Sequence, residues 1–363
     1  VHILERAPEL TEVGAGVQLG PNVTRILDAW GLLPAVQKVA FYPKNLQARN
    51  ANSGEVLATL SLSDIAKRYG SPYITIHRAD LQNILLQEVQ SSGITLQCDT
   101  HVQKLHQDSR QVNVTFSEGM PANGDANETA STSMQDQSQS QSQSQSQSQS
   151  QSQSQSESAD ALVIADGVWS NLRQQLLGDG PPRMTGHLAY RALVQQADLP
   201  THLRTQDVSV WMGNKVHVVQ YPVRKGEWLN VVCLTEGQLQ GVSMQDLQDW
   251  NVSKTPQETS ADLQSALQGA CPHLQALVEA CSQWRVWPLC DRPPMQSANE
   301  HAQGRIALVG DAAHPMRPYL AQGAGMAIED AAELAHQWIA LADRAVDQRF
   351  AAFAQCRWQR NAR

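Results

Sequence analysis

The sequence contains no long apolar run and no excess of basic residues. No stretch approaches the roughly 20 apolar residues that cross a lipid bilayer, so no membrane span is predicted. Lys and Arg number 27 against 35 Asp and Glu, which gives a formal net charge of −8. That balance argues against nucleic acid or an anionic membrane surface as a partner. The 363 residues are enough for two domains with cores of their own.

Cysteine is scarce, and its spacing is not that of a metal site. The six cysteines form no C-x-x-C pair, which argues against a zinc site and against a disulfide framework. We therefore expect reduced thiols in a cytoplasmic compartment and no bound metal. The cysteines are Cys98, Cys233, Cys271, Cys281, Cys290 and Cys356.

A third absence concerns the two ends of the chain. The sequence opens at Val1, without Met, on the apolar strand VHIL, and Glu5 ends that strand. A carboxylate at the end of the second strand of a dinucleotide-binding fold hydrogen-bonds the adenosine ribose. A strand, a G-x-G-x-x-G turn and a helix normally come first, and here they do not precede Glu5. The other end stops within a predicted helix, FAAFAQCRWQRNAR. We expect an internal fragment of a longer protein, or an incomplete gene model, with any targeting peptide upstream of Val1.

The most informative segment that is present covers residues 310–335. The β-branched run RIALV predicts a buried strand, and GDAAHPMRPYLAQGAGMAIEDAAELA after it predicts a loop and an amphipathic helix that begins near Ala324. Asp311 would hold its carboxylate where a ribose or ribityl hydroxyl could bind. Gly323 and Gly325 would let backbone N–H groups at the positive helix end approach a ligand closely. The segment predicts a site for an anionic or electron-rich ligand, with an ordinary strand-to-helix turn as the alternative.

This segment resembles a known family. The run G-D-A-A-H-x-x-x-P at 310–318 is similar to the second FAD fingerprint of the single-component (class A) FAD-dependent aromatic hydroxylases, and most like the salicylate hydroxylase and 3-hydroxybenzoate 6-hydroxylase branch. The resemblance implies that Asp311 contacts the ribityl and ribose part of FAD. It also implies that the helix start, Gly323, Ala324 and Gly325, faces the pyrimidine side of the isoalloxazine ring.

Two more segments resemble cofactor-binding parts of the same family. ERAPELTEVGAGVQLGPN implies that Glu5, Arg6 and Gly16 contact FAD. In ITIHRADLQNILLQEV, a predicted strand runs into a helix, and Asp80 in the first turn favours the helix dipole. Without the neighbouring sequence, a lone arginine such as Arg78 would be assigned to an ion pair with a surface carboxylate. The resemblance to the family's H-R-x-x-L segment implies that Arg78 binds the FAD phosphates or ribityl chain, which suits its planar donor fork.

The segment ADALVIADGVWSNLRQQL resembles the D-G fingerprint of the family, which is associated with FAD and with the transient pyridine nucleotide. Asp166 is the residue implied in cofactor binding, before a helix capped near Ser170. The family commonly has Gly in front of the Ala-Asp-Gly triplet, whereas this chain has Ile164. That side chain could crowd the cofactor or merely extend the strand. No second dinucleotide-binding motif is present, so NADH or NADPH would bind without a Rossmann domain of its own.

Alternating strands rich in Val, Trp and Tyr lie between residues 186 and 291 and predict an antiparallel sheet with one covered face. Such a sheet would roof a pocket for a small flat substrate. His217 and Tyr221 are four residues apart on one strand and so share a face. His217 could accept a phenolic proton or, when charged, bind a carboxylate, and Tyr221 could donate a hydrogen bond. The segment HVVQYPVR resembles enzymes of the 3-hydroxybenzoate 6-hydroxylase type, in which the His and Tyr handle the phenol. Lys215, Arg191 and Arg224 are further candidates for a substrate carboxylate, with a solvated charge as the default interpretation.

The resemblance implies an α/β fold like that of p-hydroxybenzoate hydroxylase. A Rossmann-like FAD-binding domain without its first βα unit would be joined to an antiparallel-sheet substrate domain. Residues 137–156 alternate Gln and Ser and have no apolar side chain to bury, so a disordered insert, an expanded hairpin loop, is expected. The predicted ranges are 1–40, 74–181 and 301–363 for the FAD-binding domain, 41–73 and 182–300 for the substrate domain, and 119–158 for the insert.

The function implied is that of an FAD-dependent monooxygenase. NAD(P)H would reduce FAD, O2 would form a flavin C4a-hydroperoxide, and one oxygen would pass to a small phenolic or salicylate-like substrate. Within the same fold, a hydroxylase of urate or of a ubiquinone precursor is the alternative. Two other classes stay open from the sequence: a flavin oxidase or reductase, and an inactive fragment that lacks the pyrophosphate-binding loop.

Overall fold

The computed structural model describes residues 1–10, 15–118, 154–239 and 254–362. Most of the predicted insert at 119–158 lies outside these residues. Residues 154–158 are described, and for them the prediction of disorder is wrong. They belong to strand β9, Ser154–Ala159, which pairs antiparallel with β8, Val112–Glu118. A wholly polar segment can form such an edge strand because the neighbouring strand pairs with its backbone groups, whatever its side chains are.

Two pairings of short parallel strands precede residues that are predicted to bind the cofactor. Strand β1, His2–Leu4, runs parallel to β6, Thr95–Gln97. Strand β10, Leu162–Ile164, runs parallel to β17, Ile306–Leu308, and β16, Ala302–Gln303, lies antiparallel on the other side of β17. The apolar run of β17 is buried along its whole length, as the sequence predicted.

The largest sheet has seven strands drawn from two parts of the chain. These are β3 (Asn45–Asn50), β4 (Val56–Ser61), β11 (Arg183–Gln195), β12 (Val208–Met212), β13 (Val216–Val223), β14 (Trp228–Glu236) and β15 (Trp284–Asp291). Their order is β15-β11-β14-β13-β12-β3-β4. All neighbours are antiparallel except β12 and β3, which are parallel.

Two smaller antiparallel pairings complete the described strands. Strand β2, Gly16–Leu19, pairs antiparallel with β5, Ile74–His77. This β2–β5 pair contacts β13 of the large sheet. Strand β7, Thr100–Gln107, pairs with β8 on the side away from β9.

Several of the helices begin where the sequence provides a capping side chain or a proline. Ser170 and Thr255 cap helices through their hydroxyls, and Thr255 forms a capping box with Glu258. The strand-to-helix unit predicted at Ile74 is confirmed, with the helix beginning at Arg78. None of the described helices is long and apolar enough to cross a membrane. The helices are α1 (Pro21–Ala29), α2 (Leu33–Gln37), α3 (Leu62–Tyr69), α4 (Arg78–Ser91), α5 (Asn171–Leu177), α6 (Pro256–Ala266), α7 (Pro272–Glu279), α8 (Ala298–His301), α9 (Gly323–Ala340) and α10 (Val346–Asn361).

The two faces of the seven-stranded sheet have different neighbours. On one face, Val216 and Val218 of β13 pack in a core with apolar side chains of α6 and α7. Alternate residues of the same strand, Val219 and Tyr221, point to the opposite face and pack against Tyr73, which precedes β5. Because successive side chains of a strand point to opposite faces, the odd-numbered side chains of β13 point towards the β2–β5 pair and towards the cofactor segment, residues 310–335, which is predicted to bind FAD.

Candidate active site

The acidic residues predicted to bind cofactor follow the carboxyl ends of parallel strands. Glu5 follows β1, Asp166 follows β10, and Asp311 follows β17. Strands β10 and β17 are neighbours, and the N–H of Val309 donates to the carbonyl of Ile164 at 3.0 Å, so Asp166 and Asp311 leave the same edge of one sheet. This edge is where open α/β sheets bind their ligands. The Glu5 carboxylate accepts a hydrogen bond from the backbone N–H of Ala7 at 2.8 Å.

Asp311 lies beside the start of α9. The side chain is exposed to the cleft, yet the surrounding protein raises its pKa by desolvation, and the charges of His314 and Arg78 act in the opposite direction. A Cβ placed on Gly323 would lie 4.0 Å from the Asp311 Oδ1 atom. Arg78, the first residue of α4, is fixed there by its backbone N–H, which donates to the carbonyl of Ala15 at 2.8 Å. The structure thus brings Asp311, Arg78 and Gly323 together.

The start of α9 is open to a ligand. No side chain caps this 18-residue helix, and no acidic residue stands in its first turn. Its first N–H groups and the positive end of its dipole can therefore serve a bound acceptor. Gly325 also permits close packing of two helices, because a Cβ there would lie 3.1 Å from Val23 of α1. Ala324 also packs towards that core.

Arg6, Asp166 and His101 form a second group of titratable side chains. Burial lowers the pKa of His101, as does the charge of Arg6, while the charge of Asp166 raises it. Burial raises the pKa of Asp166, and a hydrogen bond with Ser170 opposes that shift. Ile164 is buried in the core beneath this loop, so it extends the strand and does not reach into the crevice.

Two buried arginines that the sequence analysis missed hold in place the loops after β10 and β17, which carry Asp166 and Asp311. Arg173 donates to the carbonyl of Ala313 at 2.6 Å, and Arg292 donates to the carbonyl of Ser170 at 3.1 Å. Asp179 joins them, with one carboxylate oxygen 2.7 Å from Arg173 Nε and the other 3.1 Å from Arg292 Nη1. The loops after β10 and β17 are therefore held by hydrogen bonds from buried arginine side chains. Arg173 stands three residues after the Ser170 cap, which was the only signal in the sequence.

Asp330 fixes the cofactor segment to α10. Its Oδ2 atom lies 2.5 Å from His314 Nε2 and accepts the N–H of Gly310 at 3.0 Å, while its Oδ1 atom accepts from Arg357 at 2.7 Å. Burial raises the pKa of Asp330, but the hydrogen bonds outweigh burial and lower the pKa to about 2. His301 and His314 lie close enough to Asp330 to suggest a metal site. The Arg357 guanidinium on the same carboxylate makes the cluster an unfavourable place for a cation.

His217 faces the cofactor segment from the large sheet. Its ring lies edge-on to Tyr319 with centroids 5.5 Å apart, and Tyr319 belongs to the loop between Asp311 and α9. His217 Nε2 is buried and has no hydrogen-bond partner among the described residues. Burial lowers the pKa of His217, so the ring is neutral near pH 7 and can accept a proton. Tyr319 was quoted in the sequence motif without a role, and only the fold reveals this contact.

Tyr221 is nearly fully buried and packs over Gly16. A Cβ on Gly16 would lie 2.5 Å from Tyr221 Cε2 and 3.0 Å from its hydroxyl oxygen. The N–H of Gly16 donates to Asn230 Oδ1 at 2.8 Å, and Asn230 stands directly opposite Tyr221 in the β13–β14 ladder. The packing of Tyr221 therefore requires a glycine at position 16, and the contact of Gly16 with FAD stays a prediction.

Two of the candidate cations for a substrate carboxylate have protein partners. Lys215 forms an exposed ion pair with Glu236 at 3.0 Å. Arg224 forms a two-pronged pair with Asp80, at 3.0 and 3.1 Å, which ties the first turn of α4 to the large sheet.

The third cation, Arg191, lies on the same sheet face as Tyr221. Its guanidinium stands 5.0 Å from the ring centroid of Trp287, and its charge acts to lower the pKa of Tyr221, which burial raises. His187, four residues before Arg191 on β11, lies edge-on to Tyr319 with ring centroids 6.3 Å apart. The face opposite the cofactor loop thus combines imidazoles, a phenol and one cation.

A cavity of about 610 Å³ lies elsewhere, between α6, α7 and the start of β15. Its lining includes Leu263 and Val278 of the core that covers the other face of the sheet. The cavity is therefore separated from His217 and Asp311 by the sheet, and no chemistry is assigned to it.

Comparisons with known proteins identify the family of this chain. Residues 118–363 match the family model described as an FAD binding domain. The chain is 33% identical over 336 residues to 3-hydroxybenzoate 6-hydroxylase of Polaromonas naphthalenivorans, an alignment that covers 92% of this chain and 72% of that protein. It is 31% identical over 342 residues to 6-hydroxynicotinate 3-monooxygenase of Bordetella bronchiseptica, covering 92% and 75%. The chain belongs to the FAD-dependent aromatic hydroxylases.

Solved structures show the same fold at lower identity. Klebsiella pneumoniae HpxO, solved with FAD and uric acid, superimposes with a TM-score of 0.76 at 21% identity, over 99% of this chain and 78% of that one. A salicylate hydroxylase substrate complex gives 0.66 at 22% identity, over 96% and 80%. The predicted α/β fold of this family is confirmed. As an FAD-dependent aromatic hydroxylase, the protein is an enzyme that uses FAD.

Proposed function

We propose that the substrate is a small phenol of the hydroxybenzoate type, held between β13 and the loop that carries Tyr319. The observation that supports this most is the buried Nε2 atom of His217, which has no partner among the described residues and belongs to a ring that faces Tyr319. A buried polar atom without a partner costs free energy in the protein alone, so a substrate hydroxyl is the natural partner for it.

His217 acts as the base in this proposal. Its pKa lies below the ordinary imidazole value because the ring is buried, so the neutral form is present at pH 7. The phenolic proton moves from the substrate oxygen to Nε2, and the ring becomes the electron-rich phenolate that accepts oxygen readily. Tyr221 supplies a hydrogen-bond donor, and the positive charge of Arg191 favours an anionic substrate.

FAD, when bound and reduced by NAD(P)H, would activate O2, so that one oxygen atom of O2 enters the ring and the other leaves as water. We assign Asp311, Arg78 and the α9 start at Gly323 to the flavin end of the cofactor, because the uncapped helix and the nearby carboxylate offer both N–H donors and a hydroxyl acceptor. Glu5, Arg6 and Asp166 are assigned to the remainder of the cofactor. The chain's part is to position FAD and to exclude water from the reacting atoms.

We propose the predicted domain division together with this function. The large sheet takes its strands from residues 45–61 and 183–291, which supports a substrate domain of 41–73 and 182–300 and a discontinuous FAD-binding domain around it. NADH or NADPH is proposed as the electron donor. A cytoplasmic location is proposed from the cysteines, all six of which are free.

The test is single-turnover kinetics on the His217→Ala variant with 3-hydroxybenzoate, the compound in a relative's name. We expect the variant to bind FAD and to be reduced by NAD(P)H as the wild type is. Hydroxylation should slow by roughly 10²- to 10⁴-fold, the usual effect of losing an acid–base group. His106→Ala, at an exposed histidine of β7, is the matched control. Unchanged hydroxylation in His217→Ala would rule out this role.

A further inference from the structure

Strand β5 is hydrogen-bonded to the large sheet through the side chain of Thr75. The backbone of Thr75 is already paired, because its N–H donates to the carbonyl of Phe41 at 2.9 Å and its carbonyl accepts the N–H of Phe41 at 2.8 Å. Gln18 of β2 lies opposite Thr75 in the β2–β5 ladder. The Thr75 hydroxyl donates to the carbonyl of Pro222 in β13 at 2.5 Å, and Thr75 is fully buried.

Pro222 lies where the pairing of β13 with β12 has already ended. The register of β12 on β13 stops at the pair of Ser209 and Gln220, two residues before this proline. Proline has no N–H to offer to a neighbouring strand, but its carbonyl is still an acceptor that needs a partner when it is buried, as Pro222 is. The Thr75 hydroxyl supplies that donor, so one side chain replaces a missing strand at this point.

This hydrogen bond joins the substrate side of the site to the cofactor side. On β13, Pro222 follows Tyr221 directly and lies five residues after His217. On β5, Thr75 lies three residues before Arg78, the first residue of α4, which we assign to FAD. The position of the Thr75 hydroxyl therefore affects how far β13 lies from the bound cofactor.

Two further links join the same parts of the chain. Gly16 of β2 donates its N–H to Asn230 of β14 at 2.8 Å, and Arg224, which follows β13, pairs with Asp80 of α4 at 3.0 Å. The Arg224 side chain is 39% exposed, and water weakens an ion pair at such a place. The buried Thr75 bond is thus the stronger constraint on the end of β13.

We propose that Thr75 is a positioning residue that sets the distance between β13, which carries His217, and the FAD held by Arg78 and the start of α9. This inference rests on the proposed function, in which the substrate binds at His217. Oxygen transfer needs the substrate ring at a fixed place beside FAD, and a misplacement of about 1 Å can slow such a step by on the order of 100-fold. When the oxygen is not transferred, NAD(P)H, a proton and O2 give NAD(P)+ and hydrogen peroxide. A misplaced β13 is therefore measured as peroxide formed in place of product.

Thr75→Val tests the proposal because it removes the hydroxyl and keeps the shape of the side chain, whereas Thr75→Ser keeps the hydroxyl. With 3-hydroxybenzoate and the FAD-loaded protein, we would measure NAD(P)H consumed, hydroxylated product and hydrogen peroxide. We expect oxygen transfer in Thr75→Val to slow by roughly 10-fold or more, with a matching rise in peroxide. Thr75→Ser should form product as the wild type does. Affinity for FAD should be unchanged in both, since β5 stays paired with β2 and with Phe41.

Thr24→Val is the matched control because it removes the same kind of hydrogen bond at another place. Thr24 of α1 is also fully buried, and its hydroxyl donates to the carbonyl of Pro72 at 2.7 Å, outside the large sheet. We expect Thr24→Val to lower the free energy of unfolding in urea about as much as Thr75→Val does, and to leave the ratio of product to NAD(P)H unchanged. If Thr75→Val does not fold, Thr75→Ala and Thr75→Ser give the same comparison, because they differ only in the oxygen.

Hydrogen exchange of the FAD-free protein gives a readout that needs no catalysis. Backbone amides of residues 217–223 should exchange faster in Thr75→Val than in the wild type, and at the wild-type rate in Thr75→Ser and Thr24→Val. Unchanged exchange and unchanged product formation in Thr75→Val would overturn the inference, as would equal peroxide formation in Thr24→Val or Thr75→Ser. Failure of the wild type to hydroxylate any phenol would instead contradict the proposed function.

Discussion

Gly16→Ala tests the contact between the large sheet and the β2–β5 pair in the most quantitative way. The added methyl carbon would lie 2.5 Å from Tyr221 Cε2, 3.0 Å from its hydroxyl oxygen and 3.1 Å from Asn230 Cβ. Neither neighbour can move away freely, because Tyr221 is 4% exposed and Asn230 is fully buried within the β13–β14 ladder. The backbone of Gly16 has no positive φ, so alanine meets no conformational strain there and the cost is steric alone.

We expect Gly16→Ala to lower the free energy of unfolding by about 1–3 kcal/mol, the usual cost of overpacking a well-filled site. Displacement of Tyr221 should also weaken 3-hydroxybenzoate binding. Urea unfolding and a flavin absorbance titration of the FAD-loaded protein measure the two effects. Gly237→Ala is the control, since its methyl group would meet only the tip of Leu188 at 3.2 Å.

Removing the Tyr221 side chain should rescue the stability of Gly16→Ala. In a Tyr221→Ala background the ring is gone, so Gly16→Ala should cost little, and the double-mutant cycle should show a coupling of the same size as the original loss. A Gly16→Ala protein that unfolds and binds substrate as the wild type does would refute the reasoning. Equal costs in both backgrounds would mean that the added methyl group meets something other than Tyr221.

Three further predictions follow from the site. Asp311→Ala should weaken FAD binding by roughly 10- to 100-fold, because a charge-assisted hydrogen bond contributes about 1.5–3 kcal/mol. Equilibrium dialysis of flavin measures the affinity, and an unchanged affinity would show that Asp311 does not bind the cofactor. The hydroxylation rate should fall with decreasing pH only below pH 6.5, because burial lowers the pKa of His217 and a protonated His217 cannot accept a proton. A fall in rate that begins above pH 6.5 would contradict this prediction. Asp330→Asn should lower the free energy of unfolding in urea by about 1.5–3 kcal/mol, since it removes the carboxylate that hydrogen-bonds to Gly310, His314 and Arg357 while Glu329 still pairs with Arg357. The exposed Asp343→Asn variant should be neutral, and similar stabilities would show that the network contributes little.

The pH dependence of the Asp330 contribution has a definite sign. Its folded pKa of about 2 lies below the ordinary value of 3.8, so its stabilisation is fully present above about pH 4. That stabilisation should be lost as the pH falls from 4 towards 2. Asp330→Asn should lack this acid-dependent component in urea unfolding at a series of pH values. An unchanged slope between pH 4 and pH 2 would contradict the assignment.

Local sequence patterns predicted the parts of the site that depend on neighbours in the chain. The alternation of β13 predicts that His217 and Tyr221 share a face, because the period of a strand is two. The β-branched run before Asp311, followed by glycines and an apolar helix, predicts a strand–loop–helix unit, and the helix begins one residue before the expected Ala324. These features need no knowledge of distant residues.

Contacts between distant parts of the chain were not predictable. Gly16 is required by Tyr221, more than 200 residues away, and Gly325 is required by Val23 of α1. The same holds for the contact of Tyr319 with His217, and no pattern within either segment encodes it. Residues 154–158 were wrongly assigned to disorder because their composition is polar, although strand pairing with β8 depends on the backbone.

The pH dependence of hydroxylation in His217→Ala tests the central claim most directly. A phenol has a pKa of about 10, well above that of the buried imidazole, so 3-hydroxybenzoate binds as the neutral phenol and His217 takes its proton only as oxygen is transferred. Single-turnover hydroxylation by the wild type should therefore be independent of pH between pH 7 and pH 9, whereas the rate in His217→Ala should rise about tenfold per pH unit as the substrate ionises without a base. The same pH dependence in both proteins would contradict this role of His217.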